Sequence, residues 1–210
     1  MKARILLPKT KLRETDSRGH RRRSGFPLFF LAGPILGGGD WHSRMTEMLA
    51  ERVGVCFIVN PSRYTPDHPH YQYKLPGEED AFPNQTLWER YYIEEAATGM
   101  RGSHGCLIFW LATESKESPR TDGKPYAMDT RGEIGEWRGR FMHYERLRLP
   151  VRIVMGADPD FPGLRTIQRN NDAATRCLPI HQSMEAVVEK AARLAETTSG
   201  DYTKIMAETE

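Results

Sequence analysis

Phe29-Phe30-Leu31-Ala32-Gly33-Pro34-Ile35-Leu36-Gly37-Gly38-Gly39-Asp40-Trp41 reads as a short buried strand, a glycine-rich turn and the start of a helix running to about Arg52. Glycines at the carboxyl end of a first strand let a ligand approach the backbone closely, beside a helix N-terminus suited to anions. The turn is not a P-loop, because no Gly-Lys-Ser/Thr follows. It is not a G-x-G-x-x-G fingerprint either.

The elements that follow set the fold class. Val55-Cys56-Phe57-Ile58-Val59 is a continuous apolar run, the pattern of a parallel strand covered on both faces. Residues 60–83 carry five prolines and many polar groups and are expected as a long loop of the functional kind. A helix is expected from Gln85 to about Met100, then a strand from Cys106 to Leu111 and a second loop from Ala112 to Met128. A helix reaching about Arg148, a strand Val151–Met155, a short strand near Cys177–Ile180 and a helix Ser183–Glu196 complete the order. Strands alternating with helices predict an α/β, doubly wound, flavodoxin- or Rossmann-like parallel sheet of about five strands flanked by helices. Ligands then bind beyond the carboxyl ends of the strands. Pro34, Asn60, the loop after Trp110, and Glu133 all fall at that edge. The expected division is a flexible basic tail over 1–25, one domain over 26–198 and a C-terminal tail over 199–210.

Asp129-Thr130-Arg131-Gly132-Glu133-Ile134-Gly135-Glu136-Trp137 is the segment richest in chemistry. It places Glu133 near a helix start, where unpaired N–H groups favour the ionised carboxylate. Gly132 and Gly135 leave room for another molecule. A positioned, ionised carboxylate is what attack on a sugar anomeric carbon requires. The competing reading is a capping box, Thr130-x-x-Glu133, in which the glutamate only bonds back to the N–H of residue 130.

Phe30-Leu31-Ala32-Gly33-Pro34-Ile35 with Asp40-Trp41, Asn60-Pro61-Ser62-Arg63, Leu107-Ile108-Phe109-Trp110 and Thr130-Arg131-Gly132-Glu133-Ile134-Gly135 together resemble the ordered signatures of the nucleoside 2-deoxyribosyltransferase-like family. The matching blocks span about residues 28 to 155. The resemblance implies that Glu133 attacks C1′ of a nucleoside and that Gly33 and Pro34 lie at the sugar. It implies a second carboxylate on the preceding helix, for which Glu94 and Glu95 compete; Glu95 is expected to help the base leave. Transfer to an acceptor base would then resolve the glycosyl-enzyme. The run from Gly33 to Gly38 is also similar to the phosphate-holding loop of nucleoside 5′-monophosphate N-glycosidases, although Leu36 offers no phosphate contact. A hydrolase of that kind and a non-catalytic nucleotide-binding module are the alternatives. His104 stands where the family often has aspartate. Relatives form homo-oligomers, so association is implied here too.

Other substrate contacts are expected from Asp40, Trp41, Asn60, Arg63, Trp110 and Thr130, with Tyr126 and Glu136 as further candidates. Asp40 could instead cap its helix, and Asn60 could simply close its strand. His68 and His70 lack the four-ligand spacing of a structural zinc site. No metal or organic cofactor is expected, because carboxylates handle the charge changes. The 210 residues, 39% of them hydrophobic, suffice for one domain and contain no apolar run long enough to span a membrane. Cys56, Cys106 and Cys177 read as reduced core residues of a cytoplasmic protein. A net charge of +2 argues against nucleic-acid binding by the domain, despite the basic stretch from Arg18 to Arg23.

Overall fold

Apolar runs that a sheet can cover on both faces become its strands. In the computed structural model, which describes residues 3–12, 26–75, 77–99, 103–175 and 178–196, six strands form one parallel sheet. These are β1 (Ala3–Leu6), β2 (Leu28–Ala32), β3 (Cys56–Val59), β4 (Gly105–Leu111), β5 (Ile153–Ala157) and β6 (Ile180–His181), in the spatial order β1-β3-β2-β4-β5-β6. The helices are α1 (Trp41–Val53), α2 (Gln85–Thr98), α3 (Met128–Arg146), α4 (Leu164–Ala174) and α5 (Met184–Glu196). A short 3-10 turn, Pro69–Tyr73, interrupts the long loop after β3. The fold is a doubly wound α/β sheet, with six strands where about five were expected.

Alternation along the strands sends side chains to two separate cores. Phe30, Leu107, Phe109 and Met155 pack with Trp88 and Tyr92 of α2 and Ile134, Trp137 and Phe141 of α3. Phe29, Leu31, Cys106, Ile108 and Trp110 pack on the other face with Met45 and Leu49 of α1 and Val187 and Val188 of α5. Each fully buried side chain of this size contributes on the order of 1.5–3 kcal/mol relative to exposure. Cys56 and Cys106 are buried free thiols, and burial raises both thiol pKa values. Among the described residues no helix is long and apolar enough to cross a membrane.

Two expectations change. Residues 1–25 were expected as a tail, yet Ala3–Leu6 pairs in parallel with Cys56–Val59 as the edge strand. The segment after it is fastened to α2: the Trp88 indole N–H donates to the Thr10 carbonyl (2.8 Å), and the Leu12 N–H donates to the Tyr92 hydroxyl (2.8 Å). The stretch from Arg18 to Arg23, Cys177 and residues 197–210 lie outside the described residues. The second change is α4, which has no counterpart in the expected order of elements.

The order of the strands positions the site. From β2 the chain passes through α1 to β3 on one side, then through α2 to β4 on the other. The carboxyl ends of β2 and β4 therefore flank the point where the winding direction reverses, where open α/β sheets form their ligand crevice.

Candidate active site

A cleft of about 870 Å³ opens at that point, within the size range of small-molecule sites. Its walls come from five segments that converge on the carboxyl edge. They are the turn after β2 (Gly33, Pro34, Ile35, Leu36), the turn after β3 (Pro61, Ser62, Arg63), the first turns of α2 (Gln85, Thr86, Glu89), Arg120 of the loop after β4, and the start of α3 (Ala127, Asp129, Thr130, Glu133). Gly33, Pro34, Arg63, Thr130 and Glu133 thus line one cavity.

The capping-box reading of Glu133 does not survive. Helix α3 begins at Met128 and is preceded by Ala127 in the left-handed region (φ 55°), so Glu133 sits in the second turn and Thr130 is buried inside the first. The Arg131 N–H, bonded to the Ala127 carbonyl at 3.0 Å, already belongs to the helix. The Glu133 carboxylate carries no hydrogen bond among the described residues. It does not favour ionisation as the helix-start argument predicted: burial, then the charges of Glu89, Asp129 and Glu136, push its pKa up to about 7, opposed only by Arg90. On either side of it, a Cβ at Gly132 or Gly135 would meet nothing within 4 Å. Each glycine costs a helix about 1 kcal/mol relative to alanine. Packing within the chain does not require either of them.

Glu89 lines the cleft together with Asp129 and Glu133, and nothing in the sequence singled it out. Asn84 caps α2 by accepting from the Leu87 N–H (2.9 Å), which fixes the helix start at the carboxyl edge and puts Glu89 a little more than one turn in. Burial raises its pKa, as does Asp129; a hydrogen bond from Gln85 (2.8 Å) and the charge of Arg63 oppose this. Glu95 is not at the site. It lies six residues further along α2, about 9 Å down the axis towards the amino edge. There it is 4% exposed and accepts hydrogen bonds from the Ser103 N–H and hydroxyl. Glu94 pairs with Arg140 (2.5 Å) and accepts from the Tyr144 hydroxyl, while Glu136 pairs with Arg140 (3.0 Å) and Arg90 (3.5 Å).

Asp40, Trp41 and Asn60 are not among the residues that line the cleft. The Trp41 indole N–H donates to the Pro34 carbonyl (2.8 Å), holding the glycine turn from below. Asp40 accepts from the Ser43 hydroxyl (2.7 Å), faces His68 Nε2 at 3.4 Å and makes no side-chain cap bond. Asn60 is fully buried, and its Oδ1 accepts the Ser62 N–H (2.8 Å), fixing the second turn. Trp110 is 3% exposed and points to the opposite face, against Gly156 and Val187. Tyr126 donates to the Ala112 carbonyl (2.6 Å) and ties the loop after β4 to its own start. His70 Nε2 sits 3.0 Å from Glu47, and His68 stacks on Tyr64. Among the described residues no group of three or more histidine, cysteine, aspartate or glutamate side chains is placed to hold a metal ion.

Gly33 is required by space. A Cβ there would stand 2.3 Å from the Trp110 carbonyl oxygen and 2.6 Å from the Trp41 ring. Gly33→Ala is therefore expected to destabilise the protein by about 1–3 kcal/mol, as overpacked interiors do, and to weaken ligand binding as the turn shifts. Urea denaturation of the variant checks the first effect; an unchanged midpoint would contradict the packing argument. No protein-family model matches the chain, and no curated protein matches it either.

Proposed function

We propose that the protein is a nucleoside 2-deoxyribosyltransferase-like enzyme that cleaves the N-glycosidic bond of an uncharged (deoxy)nucleoside and transfers the sugar to another base. The observation that carries this reading is Glu133, a partly buried carboxylate without a hydrogen-bond partner among the described residues, facing a nucleoside-sized cleft beside a second carboxylate. A Glu133 oxygen forms a bond to C1′ as the C1′–N bond breaks, and the electron pair leaves on the base nitrogen. Glu89, in its carboxylic acid form, donates a proton to the departing base. The incoming base then attacks C1′, expels the Glu133 carboxylate and returns a proton to Glu89, as in double-displacement glycosyl transfer. A 2′-deoxy sugar lacks the electron-withdrawing hydroxyl and reacts more readily. All of these steps use groups of the chain and the two substrates, with no metal or cofactor.

Charge favours a nucleoside over its 5′-monophosphate. Three carboxylates, Glu89, Asp129 and Glu133, line the cleft. Of its two arginines, Arg120 is already committed to Asp122 (2.5 and 2.9 Å) and the Pro125 carbonyl. The glycine turn presents Leu36, 59% exposed, rather than a phosphate donor. A homo-oligomer is part of the proposal, supported by exposed Leu36, which lines the cleft, and exposed Leu87 and Met128, each next in sequence to a lining residue. A cytoplasmic setting is supported by the two buried free cysteines.

Chromatography of free bases tests the reading. The protein is incubated with the common 2′-deoxyribonucleosides and their 5′-monophosphates, with and without a second base. Base release from at least one nucleoside is expected, about tenfold or more faster than from its monophosphate, and faster again with the acceptor. A protein that binds these compounds and releases no base would be a binding module.

A further inference from the structure

The two turns that face each other across the cleft are joined from behind by one aromatic pair. Trp41 and His42 stack at 3.7 Å between ring centroids. Trp41 holds the Pro34 carbonyl of the first turn, while His42 Nδ1 lies 3.0 Å from the Ser62 hydroxyl of the second. Ser62 lines the cleft, and its backbone N–H is already taken by Asn60.

Which way the Ser62 proton points depends on the His42 tautomer. His42 is buried, and burial lowers its pKa to about 3, so the ring is neutral with one N–H and one lone pair. Its Nε2 is buried with no hydrogen-bond partner among the described residues. An orphaned buried N–H is rarer than an under-used acceptor. The ring therefore keeps its proton on Nδ1, where Ser62 Oγ accepts it, and leaves Nε2 as the bare lone pair. Ser62 Oγ, now an acceptor towards His42, has its own proton free to turn into the cleft.

We propose that Ser62 is a ligand-binding hydrogen-bond donor of the cleft and that His42 is the positioning residue that turns its proton towards the ligand. The proposal rests on the nucleoside reading of the cleft. Ser62 then favours ligands that present an acceptor atom at this point, a base nitrogen or carbonyl oxygen or a sugar oxygen. A ligand presenting only a donor there would face the Ser62 proton and bind less well.

Isothermal titration calorimetry tests this in a Glu133→Gln background, where turnover does not interfere, with the common 2′-deoxyribonucleosides and the matching free bases as probes. For the tightest nucleoside, adding Ser62→Ala is expected to raise Kd about tenfold, the contribution of one neutral hydrogen bond. His42→Phe should raise it by a similar factor, and the double variant by no more than either change alone. His42→Asn, which can put an amide donor where Nδ1 stands, should restore most of the affinity. Loss with the free base as well would put the acceptor on the base; loss with the nucleoside alone would put it on the sugar. Tight binding that Ser62→Ala leaves unchanged overturns this inference and spares the nucleoside reading. Failure of the Glu133→Gln protein and of wild type to bind any probe overturns both.

Discussion

Glu133→Gln is expected to lower the rate of base release by about a thousandfold or more while leaving nucleoside binding within a few-fold of wild type. The amide keeps the shape of the side chain but cannot form the glycosyl ester, and loss of a covalent nucleophile costs rates on this scale. The same change should make the protein more stable. The folded pKa of Glu133, about 7, lies above the ordinary 4.5, so between those values the folded chain holds a proton that the unfolded chain has lost. The stability this group contributes is fully present below about pH 4.5 and is lost as pH rises through about 7. At pH 8 glutamine should therefore gain on the order of 1–3 kcal/mol over glutamate, and at pH 4 nearly nothing. Urea denaturation at the two pH values reads this directly. Lower activity with lower stability at pH 8 would instead mark Glu133 as a structural group.

Glu89→Gln is expected to slow base release by about a hundredfold or more, the usual contribution of a general acid. The loss should be smallest for bases that leave readily without protonation. A sharper signature lies in the pH profile of kcat/KM. In the proposed mechanism Glu89 and Glu133 act as a pair that must hold one proton: with two there is no nucleophile, and with none there is no acid. Wild type should follow a bell whose alkaline limb falls near pH 7, where the pair loses its last proton. In Glu89→Gln the bell should become a curve that rises as Glu133 ionises and then levels off. A wild-type rate that climbs through pH 7 and stays high would remove Glu89 from acid duty.

Much of this architecture is legible from residues alone, and the exceptions have physical causes. Strands β2 to β5 announce themselves because a strand covered on both faces must be apolar at every position, as in Cys106–Leu111. Strand β1 hides because it is four residues long and sits at the sheet edge with Arg4 exposed, ahead of a basic stretch. Helix α4 hides because only Ile167 and Asn171 are buried in an otherwise polar sequence.

The site shows the same division. Glu133 stands out through its flanking glycines and its place after a buried strand. Glu89 does not, because which end of α2 reaches the cleft depends on how that helix crosses the sheet, and this is tertiary information. Asp40, Trp41 and Asn60 adjoin segments that line the cleft without lining it themselves. A sequence motif cannot tell a residue that touches a ligand from one that braces the turn that does. For Trp110 the answer was available in strand parity. It shares the face of Cys106 and Ile108, which α1 and α5 cover, rather than the face of Phe109 beneath α2 and α3.

Rapid-quench mass spectrometry with a 2′-fluoro-arabinosyl nucleoside tests the central claim most directly. The fluorine destabilises the oxocarbenium-like transition state and slows breakdown of the glycosyl ester, so the covalent species should accumulate. One sugar per chain is predicted, on the peptide that carries Glu133, together with one equivalent of released base. Base release with no adduct on the chain, or an adduct on any other residue, would contradict the account.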